Sequence, residues 1–237
     1  MTVRADLAET LRGLAGPALL EFLTARSGQP GPRADLELLA AFGDVADDCQ
    51  VLELVGSPDE YLAACAAAAL GRLAADPRPA VAGDALDRMR AAAADSRWRV
   101  REGVAMGLQR LGDADPARLR TVVLDWAADR EPLGRRAAAA GICEPRLLRD
   151  PATARCALEV CRLATAWIES LAAQDRRQVD VRVLRQVLGY CWSVAVAGDP
   201  AAGLPAFARL SMSQDPDVRW IVRENRTKTP LARLLER

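Results

Sequence analysis

Side chains that could carry out acid–base or nucleophilic chemistry are few in this sequence. It contains no histidine, which excludes imidazole catalysis, Ser-His-Asp and Cys-His nucleophile pairs, and the usual mixed zinc sites. It also contains no GxGxxG and no P-loop pattern, so the sequence offers no support for a nucleotide phosphate cradle. We therefore expect no cofactor and no metal site.

Six cysteines are scattered through apolar, helical context, without a CxxC motif. Cys156 and Cys161 lie within one predicted helix, where core packing is the favoured interpretation. The cysteines are expected to be free, buried thiols in a reducing cytosol.

Tryptophans followed by acidic residues are the remaining candidates for catalytic chemistry. Asp125, Trp126 and Asp129 lie at a predicted helix end, shortly before the pair Arg135 and Arg136. Two further tryptophans have a glutamate one helical turn later, and this spacing puts both side chains on one face of a helix. These pairs are Trp98 with Glu102 and Trp220 with Glu224.

Composition favours a helical, water-soluble protein. Hydrophobic residues make up 51% of the 237 residues but aromatic residues only 4%, and Ala, Leu and Val dominate. Residues 1–60 carry four Arg against eleven Asp and Glu, a net charge of −7, and residues 61–237 carry +7. The N-terminus lacks a signal-peptide pattern, and no run approaches the roughly 18 apolar residues of a membrane span. We expect a cytoplasmic protein without membrane contact.

Internal repeats account for much of the chain. The segment LAACAAAALGRL (62–73) aligns with VREGVAMGLQRL (100–111) at an offset of 38 residues. A weaker third copy, LGRRAAAAGI (133–142), aligns when Arg135 is placed under Arg101. The motif Arg-Trp-x-Val-Arg-Glu occurs at 97–102 and again at 219–224, 122 residues later, or about three periods of roughly 41 residues.

Helix-capping residues recur between these segments. Asp or Ser immediately precedes a helical pattern in GSPDE (56–60), AADSR (93–97), AADRE (127–131) and SQDPD (213–217). Fourteen helices and no strand are predicted, including helices at 79–93, 116–128 and 132–142, with one enlarged unit over 143–196. The most linker-like stretch is SGQPGPR (27–33).

Helix pairs of about 40 residues, each with a capping Asp and a VR or RR sequence at the start of the second helix, resemble the HEAT-like repeat family. The matching segments are DSRWRVREGVAMGLQRLGD, EPLGRRAAAAGI and DPDVRWIVREN. The resemblance implies an all-α, right-handed superhelical array (an α-solenoid) as one domain over 1–237. Residues 1–57 would form acidic helical pairs and 58–237 a more basic repeat region. In both Trp motifs, Val would pack into the next repeat and Trp would seal the turn between stacked helices.

Second helices line the concave face of such arrays, so arginines on these helices could bind an anionic partner. The predicted partner-binding set is Arg97, Arg101, Arg135, Arg136, Arg182, Arg185, Arg219 and Arg223. Pairing of these arginines with neighbouring carboxylates is the competing interpretation.

The resemblance implies a non-catalytic scaffold that binds a macromolecule, with protein slightly favoured over nucleic acid. The alternative is a DNA-binding protein or a glycosylase acting on alkylated bases, as in one branch of the family. In that branch, Trp and Asp side chains line the lesion, so Trp126 and Asp129 are weak catalytic candidates. Their spacing of three residues, where the branch has four, departs from its pattern.

Overall fold

The protein is all-helical throughout the residues that the computed structural model describes, which are 2–29, 31 and 34–236. Fourteen α-helices and no strand occur in these ranges, as the sequence predicts. The helices are α1 (Val3–Arg12), α2 (Gly16–Ala25), α3 (Leu36–Val45), α4 (Asp48–Leu54), α5 (Glu60–Ala74), α6 (Pro79–Ala93), α7 (Trp98–Ala114), α8 (Pro116–Ala128), α9 (Pro132–Ile142), α10 (Pro151–Ser170), α11 (Val179–Gly198), α12 (Pro200–Leu210), α13 (Pro216–Arg226) and α14 (Thr229–Leu235). Short 3₁₀ helices form at Leu147–Arg149 and Asp175–Arg177.

Aspartates cap several of the predicted helix starts. The Asp59 carboxylate accepts hydrogen bonds from the N–H groups of Tyr61 and Leu62, and Asp215 accepts from Asp217 and Val218 in the same way. These bonds satisfy donors that have no partner within the first turn of a helix. The predicted linker at 27–33 lies partly outside the described residues.

Two of the predicted helix starts differ in detail. Asp95 accepts from the N–H of Arg97, which precedes α7. Glu131 precedes α9 without a side-chain cap, and Asp129 accepts instead from the N–H groups of Arg130 and Glu131.

The chain divides into two compact units, unit 1 (Met1–Ala114) and unit 2 (Asp115–Arg237). In unit 1, α1 packs on α3, α3 on α5 and α5 on α7, while α6 packs against both α5 and α7. In unit 2, α9 packs on α11 and α11 on α13, while α8 packs on α10. Alternate helices are therefore neighbours within each unit, as expected of helical hairpin repeats. The single right-handed array over 1–237 stays a prediction.

The 38-residue repeat is visible as contacts between α5 and α7 and between the turns that precede them. Arg97 donates to the carbonyl of Ser57, 40 residues earlier, and Arg99 pairs with Glu60, 39 residues earlier. Gly103 and Gly107 lie directly against the backbone of α5, at Ala64 and Ala67. Residues without side chains allow the two helices to approach closely, which explains the small-residue composition of both copies.

The two Trp motifs occupy different positions in their helices, whereas the repeat predicted equivalent positions for both. Trp98 is the first residue of α7, whereas Trp220 is the fifth residue of α13. The difference is one helical turn, so both tryptophans remain on corresponding helix faces. Val100 and Val222 are both buried, as predicted.

Within the part of the chain that the structure describes, no helix combines the length and the apolar character needed to cross a membrane.

Candidate functional site

Two of the predicted partner-binding arginines in unit 1 hold a turn together. Arg97 forms an ion pair with Asp95 at 2.7 Å and donates to the Ser57 carbonyl at 2.8 Å. Arg101 donates to the carbonyls of Asp95 and Ser96 at 2.6 and 2.8 Å. Arg97 therefore pairs with a neighbouring carboxylate, as in the competing interpretation, whereas the Arg101 bonds go to backbone carbonyls.

Arg135 and Arg136 are buried, and this corrects the expectation that they line an open surface. Arg135 is only 5% exposed, donates to the carbonyls of Ala127 and Ala128 at the end of α8, and lies 4.8 Å from the Trp167 ring centroid. Desolvation lowers the pKa of Arg135 to about 10. Arg135 therefore satisfies carbonyls that the helix leaves without donors, and little of its side chain is accessible to a partner.

The remaining four arginines lie in unit 2. Arg185 pairs with Asp217, and its guanidinium lies 4.8 Å from the centroid of the Trp220 ring. The other three, Arg182, Arg219 and Arg223, are exposed. They are the members of the predicted set that remain accessible to a ligand.

Trp126 and Asp129 do not form the lesion-binding pair that the resemblance implied. Trp126 is 3% exposed in the interior of unit 2. Asp129 follows the last residue of α8 and accepts hydrogen bonds from the next two backbone N–H groups. A buried indole cannot stack on a base, so this placement gives the glycosylase alternative no support.

A groove in unit 1 is lined by Trp98, the most exposed of the five tryptophans. Its floor is formed by the buried side chains of Leu39, Tyr61 and Ala64, and its sides by Leu36 and Trp98, which are 57% and 50% exposed. We call this feature the Trp98 groove. Helices α3, α5 and α7 all contribute to it, and its volume is about 330 Å³.

Charged residues fix the orientation of Trp98. The Arg99 guanidinium lies 4.7 Å from the centroid of the Trp98 ring and pairs with Glu60 at 3.0 Å. The backbone N–H of Arg99 also donates to the Glu60 carboxylate at 3.1 Å. The Arg99 side chain is thus held between the indole ring of Trp98 and the carboxylate of Glu60. This contact restricts the indole before any partner binds.

The sequence does not predict this groove. It predicts that Trp98 seals a turn, whereas Trp98 is half exposed. Trp98, Glu102 and Met106 recur every four residues along α7, and all three line the groove. That stripe was the available signal, because such spacing aligns side chains on one helix face.

No three His, Cys, Asp or Glu side chains are grouped to hold a metal ion anywhere in the described ranges.

Comparison with known proteins identifies no family for this chain. No family model matches, and no curated protein matches. Among solved structures, a designed armadillo repeat protein is 12% identical, with a TM-score of 0.37, over 93% of this chain and 97% of that chain. Two engineered proteins are 15% and 16% identical, each with a TM-score of 0.35, over 100% and 95% of this chain and 98% and 97% of theirs. Because these TM-scores are low, we take the fold class from the helices of this chain itself.

Proposed function

We propose that the chain is a non-catalytic protein-binding module, and that the Trp98 groove receives an amphipathic helix with apolar anchors and a basic flank. The observation that carries this proposal is the half-exposed indole of Trp98, held by Arg99 above a floor of buried apolar side chains. Tryptophan, tyrosine, methionine and arginine are enriched at protein interfaces, and Trp is a frequent energetic hot spot.

A helix fits this groove better than an extended segment. An added strand would need a free sheet edge, and the described ranges contain no strand. A polyproline segment docks between exposed aromatic rings, whereas the second aromatic residue here, Tyr61, is buried and donates its hydroxyl to the Asp35 carbonyl at 2.6 Å. A helix that carries apolar anchor residues along one face is therefore the ligand that matches the groove.

Charge favours a basic flank on that helix. Unit 1 contains 12 Arg and 17 Asp and Glu, a net charge of −5. Glu102 lines the groove, and Glu37 is exposed next to Leu36. Opposite charges at the margin of an interface accelerate association and select among partners.

Selection from a displayed library of helical peptides, with the full chain as bait, tests the proposal. We expect enriched peptides to carry apolar residues at i, i+3 or i+4, and i+7, with Lys or Arg beside them. These peptides should be lost when Trp98→Ala is the bait and retained with Tyr190→Ala. Tyr190 is a suitable control because it is a similarly exposed aromatic residue, at 46%, in unit 2. Enrichment of peptides that bind the Trp98→Ala variant equally well would refute the proposed site.

A further inference from the structure

Four arginines surround one pocket in unit 2. Arg176, Arg177, Arg182 and Arg185 line it together with Asp215 and Asp217, and its volume is about 680 Å³. We call this feature the arginine pocket. Arg182 and Arg185 belong to the partner-binding set predicted from the sequence, whereas Arg176 and Arg177, in the short 3₁₀ helix before α11, do not.

Two of the four arginines form a fixed wall. Arg176 donates to the carbonyls of Leu171 and Glu169 at 2.8 and 2.6 Å and pairs with Asp215. Arg185 is held between Asp217 and the Trp220 ring. Both Asp215 and Asp217 are therefore already engaged with guanidinium groups of this wall.

The other two guanidinium groups are open to a ligand. Arg177 and Arg182 are exposed, and the structure shows no ion pair for either of them among the residues it describes. Arg182 lies in the first turn of α11, whose N-cap residue Gln178 makes no side-chain cap. Asp180 also lies in this first turn and offsets the positive end of the helix, so the attraction for an anion comes from the guanidinium groups.

We propose that the arginine pocket binds a phosphate monoester, with Arg177 and Arg182 as the contacting residues. A phosphate monoester carries a charge of about −1.5 to −2 at neutral pH and three acceptor oxygens, enough for two guanidinium forks at once. The four lining arginines exceed the two lining aspartates by two positive charges, which matches that dianion. The pocket is larger than a phosphate group alone, so the group that carries the phosphate also has room.

The phosphate could belong to a small metabolite or to a phosphorylated side chain of a protein. Calorimetric titration of the full chain at constant ionic strength would use inorganic phosphate, glucose 6-phosphate and a phosphoserine tripeptide as probes. We expect saturable binding of inorganic phosphate. Tighter binding of glucose 6-phosphate or of the tripeptide then identifies the source, and the unphosphorylated tripeptide should not bind.

Matched variants test the assignment of residues. The double variant Arg177→Gln with Arg182→Gln should weaken phosphate binding by at least about tenfold, because it removes two charge-assisted contacts. Arg209→Gln removes an exposed arginine of the same unit outside the pocket and should change the affinity by less than about twofold. Circular dichroism would verify that each variant is folded.

Absence of saturable phosphate binding, or unchanged affinity in the folded double variant, would overturn the proposal. This inference does not rest on the Trp98 groove. The double variant should still bind helical peptides, and Trp98→Ala should still bind phosphate, so the two proposals can fail separately.

Discussion

A β-carbon placed on Gly71 would lie 1.9 Å from the carbonyl oxygen of Gly107. Helices α5 and α7 therefore approach each other at a point where no side chain fits between them. β-Carbons placed on Gly103 and Gly107 would lie 2.4 and 2.6 Å from backbone oxygens of α5, so these contacts are similarly tight. Close approach of these helices joins the two most similar repeats of the sequence.

Gly71→Ala should destabilise the protein by about 2–3 kcal/mol, since the helices must separate to admit a methyl group. Gly83→Ala is the matched control, because Gly83 lies inside α6 with no atom within 4 Å of an added β-carbon. That substitution should raise the free energy of unfolding by about 0.5–1 kcal/mol through helix propensity. Urea denaturation measures both effects, and equal effects of the two substitutions would contradict the close approach.

Arg135→Met should lower the free energy of unfolding by about 2 kcal/mol. The substitution leaves the carbonyl of the buried residue Ala127 without its Arg135 donor. Arg162→Met is the control, because Arg162 is exposed and pairs with Glu159 on the surface, where a pair contributes less than about 1 kcal/mol. A thermal unfolding comparison in which Arg135→Met is no worse than Arg162→Met would show that Arg135 has no structural role.

The stability of the α6–α7 turn should depend on pH through Asp95. Hydrogen bonds from Arg97 hold the pKa of Asp95 below its ordinary value. A lowered carboxylate pKa stabilises the folded state above the ordinary Asp range, and this stabilisation is lost as the pH falls through the lowered value. Between about pH 5 and pH 3, the free energy of unfolding should fall by about 1 kcal/mol less in Asp95→Asn than in the wild type.

This comparison requires denaturation curves at several pH values for both proteins. Parallel pH profiles would mean that Asp95 titrates with the same pKa in the folded and unfolded states. Such a result would show that the Asp95–Arg97 ion pair does not stabilise this turn.

Helix positions could be predicted from the sequence because local rules determine them. The bounds of α6, α8 and α9 coincide with the predicted ones, 79–93, 116–128 and 132–142. Pro near the start of each helix and the small or capping residues at its ends suffice to mark such limits. The contact of Gly103 with Ala64 spans 39 residues, which is close to the 38-residue offset of the repeat.

Burial of Arg135 could not be predicted in this way, because arginine is rarely buried and its partners here are backbone carbonyls. The one-turn shift between Trp98 and Trp220 was missed for a related reason. The two hexapeptides match at five of six positions and were aligned by side-chain identity, whereas the helix starts at Trp98 and Pro216 define the structural register.

The Trp98 groove combines residues from three helices that are far apart in the sequence. Tyr61 lies close to one period before Trp98, so the repeat pattern could have predicted the contact between α5 and α7. The contribution of Leu36 could not be predicted in this way, because residues 1–57 resemble the repeats only as helical pairs. A site assembled between repeats requires the packing of the helices as well as their positions.

The most direct test of the proposed function is the affinity of a selected basic helical peptide for the wild type, Trp98→Ala and Tyr190→Ala, measured by fluorescence anisotropy. Removal of a hot-spot Trp typically costs about 2 kcal/mol or more, or about 30-fold in Kd. We predict at least this loss for Trp98→Ala and an unchanged Kd for Tyr190→Ala. Equal binding by all three proteins would contradict the assignment of the Trp98 groove as the binding site.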